Sequence, residues 1–316
     1  MHELRHESAM VPEVLQALGV KPGGVWSEGT VDGGGHAEAI LQASAPDGLY
    51  IGIDADASML PIARSRLLPK FGDRVVLLHG LFSQLDMLVA SVTAEKIDGV
   101  LADLGPSRIQ LLDPERGFTL MEDAPLDARY DRNQPFSAWH VVNRFSRKQL
   151  VKTLALTGKP RTAGRIAEAI IRQREKGAID TTGQLREIIY RVLGRRRRGG
   201  VDAATEWFWA IRVATNNELQ EAEKGIEAAM RALKVGGRLV ILSWDGTTHK
   251  VVRNKLRELA RGCICPPELP CTCGRQPLVR LLYPHGLQPS QEERQRNPST
   301  RSCRLFAAEK IREYEA

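Results

Sequence analysis

The chain has 316 residues, of which 42% are hydrophobic and 26% charged, with a mean hydropathy of −0.27. This composition excludes a disordered tail, because enough apolar surface exists to offset the entropy lost on folding, and no apolar run approaches the roughly 18 residues of a membrane span. The net charge of +7 is unevenly placed: Arg144 to Arg198 holds 16 basic and 4 acidic residues, a net of +12, so the rest sums to −5 and one segment points to a polyanionic partner.

In chain order, the start Met1-His2-Glu3-Leu4-Arg5-His6-Glu7 is polar and mixed in charge. It does not fit a signal peptide, and the cytoplasm is the expected compartment. Pro12–Leu18 reads as a helix with proline near its start. Strands are predicted at Val25–Val31, Leu49–Asp54, Val75–His79 and Ile97–Leu104, with helices at His36–Ala43 and Ala57–Leu68 between them. Such alternation predicts an α/β fold with a parallel sheet. From Gln110 to Arg198 the strand signal disappears and helical patterns take over, among them Arg147–Leu156 and Arg161–Lys176. A long helix or helix pair is expected over Ala203–Leu233, with Phe208, Ile211, Ile226, Met230 and Leu233 as core positions and a stop at Gly236-Gly237. Strand patterns return at Arg238–Trp244 and Ser302–Glu309, so a sheet domain over residues 1–109 and 201–316 is interrupted by a helical domain over residues 110–200.

Residues 262–300 are rich in Pro, Cys, Gln and Arg and read as an irregular excursion. Four of the five cysteines lie there, as Cys263-x-Cys265 and Cys271-x-Cys273. Four thiolates suit zinc. The spacing is not the usual C-x2-C, however, and prolines stiffen the link, so reduced structural thiols are expected and no metal is assigned.

The first strand runs into Gly29-Thr30-Val31-Asp32-Gly33-Gly34-Gly35-His36, where glycines let the backbone approach a ligand. Asp54 ends the second strand 19 residues after Gly35, placed for the two hydroxyls of a ribose. The turn lacks both the dinucleotide G-x-G-x-x-G spacing and the Lys-Ser/Thr ending of a phosphate loop. A ribose-binding acid without a phosphate cradle suits S-adenosylmethionine. Asp103 ends the fourth strand at the same crevice, and Phe82 follows the third, placed either against adenine or in the core.

These residues resemble the bacterial 16S ribosomal RNA cytosine-N4 methyltransferase family (RsmH, also called MraW). The resemblance runs nearly end to end, through His6–Leu15, Gly33–Leu41, Ile97–Gly105, Gln110–Phe118, Pro125–Arg129, the Cys265–Cys271 insert and Asn297–Ser302. It implies a class I S-adenosylmethionine-dependent methyltransferase fold, a Rossmann-like seven-stranded sheet with an inserted all-helical domain. It also implies that the methyl donor is held by Gly34, Gly35, His36, Asp54, Phe82, Asp103 and Gln110. The expected partner is small-subunit ribosomal RNA or the 30S particle, with a homodimer as a further assembly. The chain departs from the family pattern at Pro106–Ile109, Thr157–Pro160, Thr205–Arg212 and Trp244–His249. A paralogue acting on another RNA site, or a non-catalytic RNA-binding protein that keeps the donor pocket, are therefore the competing functions.

Methylating an exocyclic amine calls for acceptors that orient the amino group rather than for a strong base. Asp103 with the Leu104-Gly105-Pro106 backbone, Ser107, Asp245 and His249 are the acceptor candidates, and no catalytic residue is assigned. Trp207 and Trp209 are candidates for stacking on an extruded base, but two apart on a helix they face different ways, so one of them is expected in the core.

Overall fold

The computed structural model describes residues 8–120, 122–195, 202–266, 268 and 270–314. The chain divides into two units, Met1–Gly105 with Leu219–Ala316, and Pro106–Glu218. The first unit opens with α1 (Val11–Leu18), β1 (Val25–Glu28), α2 (Gly35–Ala43), β2 (Leu49–Asp54), α3 (Met59–Phe71), β3 (Val75–His79), α4 (Leu85–Ala90) and β4 (Ile97–Asp103). The second holds α5 (Arg108–Leu112), α6 (Ala138–Arg144), α7 (Arg147–Leu154), α8 (Pro160–Arg174), α9 (Thr182–Leu193) and α10 (Thr205–Asn216). The chain then completes the sheet with α11 (Glu218–Ala232), β5 (Leu233–Ser243), α12 (Gly246–Ala260), β6 (Val279–Leu281), α13 (Gln291–Arg296) and β7 (Arg304–Lys310).

The seven strands lie in the order β3-β2-β1-β4-β5-β7-β6. All neighbours from β3 to β5 are parallel, while β7 is antiparallel to both β5 and β6. The seven strands and the helical insertion agree with the fold that the resemblance implies. Parallel strands are covered on both faces and so read as nearly continuous apolar runs, as Leu49–Asp54 does. Alternate residues still serve different cores. Ile51, Val100, Ala102, Leu239 and Ile241 face one cluster, whereas Tyr50, Leu101, Val240 and Leu242 face the other. Each such Val, Leu or Ile side chain contributes about 1.5–3 kcal/mol by leaving water.

The helical unit has its own core, with Val141, Leu150, Ile166, Ile170, Leu185, Ile189 and Trp207 all buried. It runs to Glu218, past the expected boundary at residue 200, because α10 packs Trp207 and Ile211 into this core. Ala203–Leu233 is thus a helix pair, broken at Asn217, which adopts the left-handed conformation (φ 51°). Of the expected core positions, Ile211, Ile226, Met230 and Leu233 are buried, and Phe208 is half-buried against the helical core.

Local differences from the sequence pattern have simple causes. β1 ends at Glu28 rather than Val31, although the Gly29 and Val31 N–H groups still donate to Leu101 O and Ile53 O of the flanking strands, at 2.8 and 3.1 Å. α11 stops at Ala232, before the glycine pair. The register of β4 against β5 jumps from Ile97↔Leu233 to Gly99↔Arg238, and Gly236 (φ 84°) lies in the intervening bulge. The excursion over residues 262–300 hides β6 and α13 because β6 has only three residues and α13 is short and polar. No helix among the described residues is long and apolar enough to cross a membrane.

Candidate functional site

The sheet order reverses at β1, whose neighbours are β2 and β4, and open α/β sheets bind ligands beyond the strand ends at such a switch. Glu28, the last residue of β1, is in register with Gly52 and Leu101. Asp54 and Asp103 therefore stand two residues further along the flanking strands. Sequence reasoning found these two acids from their strand-end positions, but missed how they are held.

Both oxygens of the Asp54 carboxylate accept backbone N–H groups, Oδ2 from Asp32 and Oδ1 from Asp56, each at 2.8 Å. A carboxylate has about four acceptor positions, so these two bonds leave each oxygen with further acceptor capacity. Burial pushes the Asp54 carboxyl up to about 7, against the pull of those two N–H groups. Asp32 takes a positive φ of 47° to make its contact, a conformation that Asp tolerates better than most residues. Asp103 donates its N–H to Thr30 Oγ1 at 2.7 Å, and its Oδ1 accepts the Trp244 indole N–H at 2.7 Å.

Beneath them lies a buried pair absent from the sequence reading. The Tyr50 hydroxyl donates to Glu28 Oε2 at 2.5 Å, and both groups are fully enclosed. Burial raises both well above their ordinary values. Their signal, a polar residue inside each of two apolar runs, was available but ambiguous.

The glycine turn serves packing as much as ligand approach. Gly34 caps α2 in the left-handed conformation (φ 77°), and a Cβ on Gly35 would sit 1.9 Å from Ser8 Oγ. The His36 side chain is buried, with Nε2 2.8 Å from Ala9 O and Nδ1 3.7 Å from Glu28 Oε1. His36 is the second residue of α2, whose first N–H groups lack intrahelical acceptors. Phe82 belongs to the core: a Cβ on Gly29 would lie 2.4 Å from one ring edge, and one on Gly225 2.0 Å from the other. Those two glycines leave room for the ring, a relation only the fold reveals. Gln110 stands in the helical unit, at the third position of α5, where its Oε1 accepts the Ser107 N–H at 2.9 Å and its N–H donates to Ser107 Oγ at 3.1 Å.

The acceptor candidates on the altered segment are engaged locally. Asp245 caps α12 by accepting the N–H groups of Thr247 and Thr248, each at 2.9 Å. His249 Nε2 lies 3.0 Å from Ser243 O, and burial lowers the imidazole's pKa. Trp207 is buried in the helical core and Trp209 is half-buried.

Within the helical unit, a cleft of about 630 Å³ is lined by Arg147, Arg161, Arg165, Arg172 and Arg191, with Glu168 among them. Glu168 pairs with Arg147 at 3.2 Å and Arg172 at 3.6 Å, so positive charge dominates the cleft. Of the arginine run Arg195–Arg198, Arg195 pairs with Glu187 at 2.8 Å, and Arg196–Arg198 lie outside the described residues, as do His6 and Glu7 of the N-terminal motif.

The sequence profile of the MraW methylase family matches residues 3–311. The chain belongs to this family. Relatives agree over essentially their whole lengths. The protein named "Ribosomal RNA small subunit methyltransferase H" in Geotalea uraniireducens is 42% identical over 98% of this chain and 100% of its own. The protein of that name in Symbiobacterium thermophilum is 40% identical over 97% of this chain and 96% of its own. A solved putative methyltransferase from Streptococcus mutans, in complex with SAH, covers 96% of this chain and 99% of its own at 11% identity and a TM-score of 0.45, a likeness too distant to add to the assignment. For this MraW methylase, the donor set can be tested against the cofactor on its own chemistry. Asp54 and Asp103 end β2 and β4, with the buried Glu28 engaged by Tyr50 beneath them, while Arg66, which reaches Gly33 O at 3.4 Å, is held by Glu38 at 2.7 Å. Such a set fits a cationic, hydroxyl-bearing and phosphate-free ligand.

Proposed function

We propose that the chain transfers a methyl group from S-adenosylmethionine to the exocyclic N4 of a cytidine in 16S ribosomal RNA, presented in the 30S particle in the cytoplasm. The reading is carried by full-length kinship, at 42% identity, with a protein named as a small-subunit ribosomal RNA methyltransferase. The cytidine N4 target comes from the motif resemblance, and the carboxylate set at the strand ends supports the donor.

In this reading Asp54 accepts the ribose hydroxyls, and its carboxylate form is the binding form. The main chain at Gly34, Gly35 and His36 meets the donor from the glycine turn and Asp103 closes the far side, while Phe82, whose ring is packed in the core between Gly29 and Gly225, is assigned to the donor by resemblance. Gln110 is assigned to the donor by resemblance alone. The bound donor supplies an electrophilic methyl on a cationic sulfur. The chain's task is to orient the amine, whose lone pair is delocalised into the cytosine ring. Carbonyls of Leu104 and Gly105 accept the amino hydrogens, and exclusion of water with fixed alignment provides most of the rate. The methylated amine is acidic enough to lose its proton to solvent. Arginines of the helical cleft hold RNA phosphates.

The test is transfer of labelled methyl from the donor to small subunits isolated from a strain lacking the gene. One methyl per subunit, on a cytidine, is expected, with none added to subunits from the parent strain. Absence of transfer, or label on another base, overturns the reading. Methylation of a different RNA is the alternative favoured by one observation, the Trp244 indole bound to Asp103 from a segment that departs from the family pattern.

A further inference from the structure

The four clustered cysteines play no part in methyl transfer. They lie between α12 and β6, two on each side of the Pro266–Pro270 stretch, and the structure gathers all four sulfurs within 4.8 Å of one another. Cys263 Sγ is 3.2 Å from Cys271 Sγ and 3.7 Å from Cys273 Sγ, and Cys271 and Cys273 are 3.8 Å apart. A tetrahedron with zinc–sulfur bonds of about 2.3 Å has edges of about 3.8 Å. The sulfurs are therefore spaced for a common ion rather than for two separate pairs, and all are free thiols.

From this geometry we infer that Cys263, Cys265, Cys271 and Cys273 form a structural zinc site that staples the α12–β6 connection. The main chain is already arranged to support thiolates. The Cys265 N–H donates to Cys263 Sγ at 3.4 Å. The tight C-x-C spacing, which argued against a metal in the sequence, is what lets one residue's N–H serve a neighbour's sulfur. With four protein ligands no position is left open, so the site is structural rather than catalytic. Binding releases the protons of the thiols that ionise, and the four thiolates and Zn²⁺ together carry two negative charges. The staple closes a short loop beside the edge strand β6, where only three residues pair with β7. Arg275 Nη2, which donates to Glu258 O at 2.8 Å, ties the far side of the loop back to α12.

The experiment measures metal in the full-length protein after expression with zinc and gel filtration. One zinc per chain is expected by elemental analysis, persisting in Cys303→Ser, which alters the buried fifth cysteine, and lost in Cys263→Ser/Cys273→Ser. Cobalt(II) added to metal-stripped wild type should give the intense ligand-field and sulfur-to-metal charge-transfer bands of a tetrahedral tetrathiolate, which does not depend on the variants folding. Wild-type protein with no more zinc than the double variant and no such cobalt spectrum overturns the inference. So does a mass lower by two hydrogens per cysteine pair in freshly purified protein without zinc, which would mean disulfides.

Discussion

The two units solve opposite electrostatic problems by different means. At the strand ends of the sheet unit, negative charge is carried by short side chains fixed by the main chain, as Asp54 is by the N–H groups of Asp32 and Asp56. In the helical unit, positive charge is carried by long arginines around an open cleft, two of them sharing Glu168. A small ligand must be aligned to a fraction of an ångström, which rewards short, preorganised groups. A polyanion needs charge density more than fixed geometry, and long solvated side chains supply it at little desolvation cost.

The comparison is tested most severely at Asp54. Asp54→Ala should weaken donor binding by roughly 1–3 kcal/mol, about 5- to 150-fold, by removing hydrogen bonds to a charged acceptor. RNA affinity of the same variant should be unchanged. Calorimetric titration showing wild-type donor affinity would mean that the ribose is held elsewhere.

Reversing two cleft charges, Arg165→Glu with Arg172→Glu, should lower RNA affinity by at least about tenfold. It should also flatten the dependence of log affinity on log salt by about 1.4 for single-stranded RNA, if each arginine meets one phosphate. Donor binding should not respond. An unchanged salt slope would make the cleft a merely solvated surface.

A third test uses pH. Burial holds the Asp54 carboxyl near 7, and the carboxylate is the form proposed to accept ribose hydroxyls. Donor affinity should therefore rise by up to about tenfold per pH unit below 7 and level off above it, whereas RNA binding, which relies on arginine, should be flat over the same range. The stability of the donor-free protein should move the other way. Because the folded-state value exceeds the ordinary value of 3.8, the folded state binds more protons between about 4 and 7, and this contribution is lost as pH rises through that window. Donor affinity independent of pH between 6 and 8 would sink the assignment of Asp54 as the ribose acceptor.

The smallest effect is expected at Asp245, a residue of the altered segment that the structure gives to a helix cap. Asp245→Ala should cost about 1 kcal/mol in denaturant unfolding, with Asp245→Asn recovering most of it, since Asn also caps well. A loss of methyl transfer far larger than the loss of stability would return Asp245 to the list of acceptors.

Much of this site was legible because its signals are local. A strand-end acid at a set distance from a glycine turn is a property of a few dozen contiguous residues, and so is a run of arginines at helical spacing. His36, Phe82 and Asp245 were less legible for a common reason. Each has a side chain that suits a ligand, and each spends it on a partner that the sequence does not reveal: Ala9 and Glu28, the gap between Gly29 and Gly225, and the first turn of α12. The helical boundary was misplaced because the apolar spacing of α10 shows that it buries one face, not which core receives it.

The sequence by itself determined the order of the elements outside the cysteine-bearing excursion, the interruption of a parallel sheet by a basic helical segment, and the family. Periodicity, strand-end residues and motif content are written along the chain, and they survive any rearrangement in space. Only the tertiary structure decided which polar groups were already committed, that four cysteines in two tight pairs converge on one point, and that Trp207 is core. Those outcomes depend on contacts between residues tens to hundreds of positions apart, where burial and hydrogen-bond partners are settled by packing rather than by local pattern.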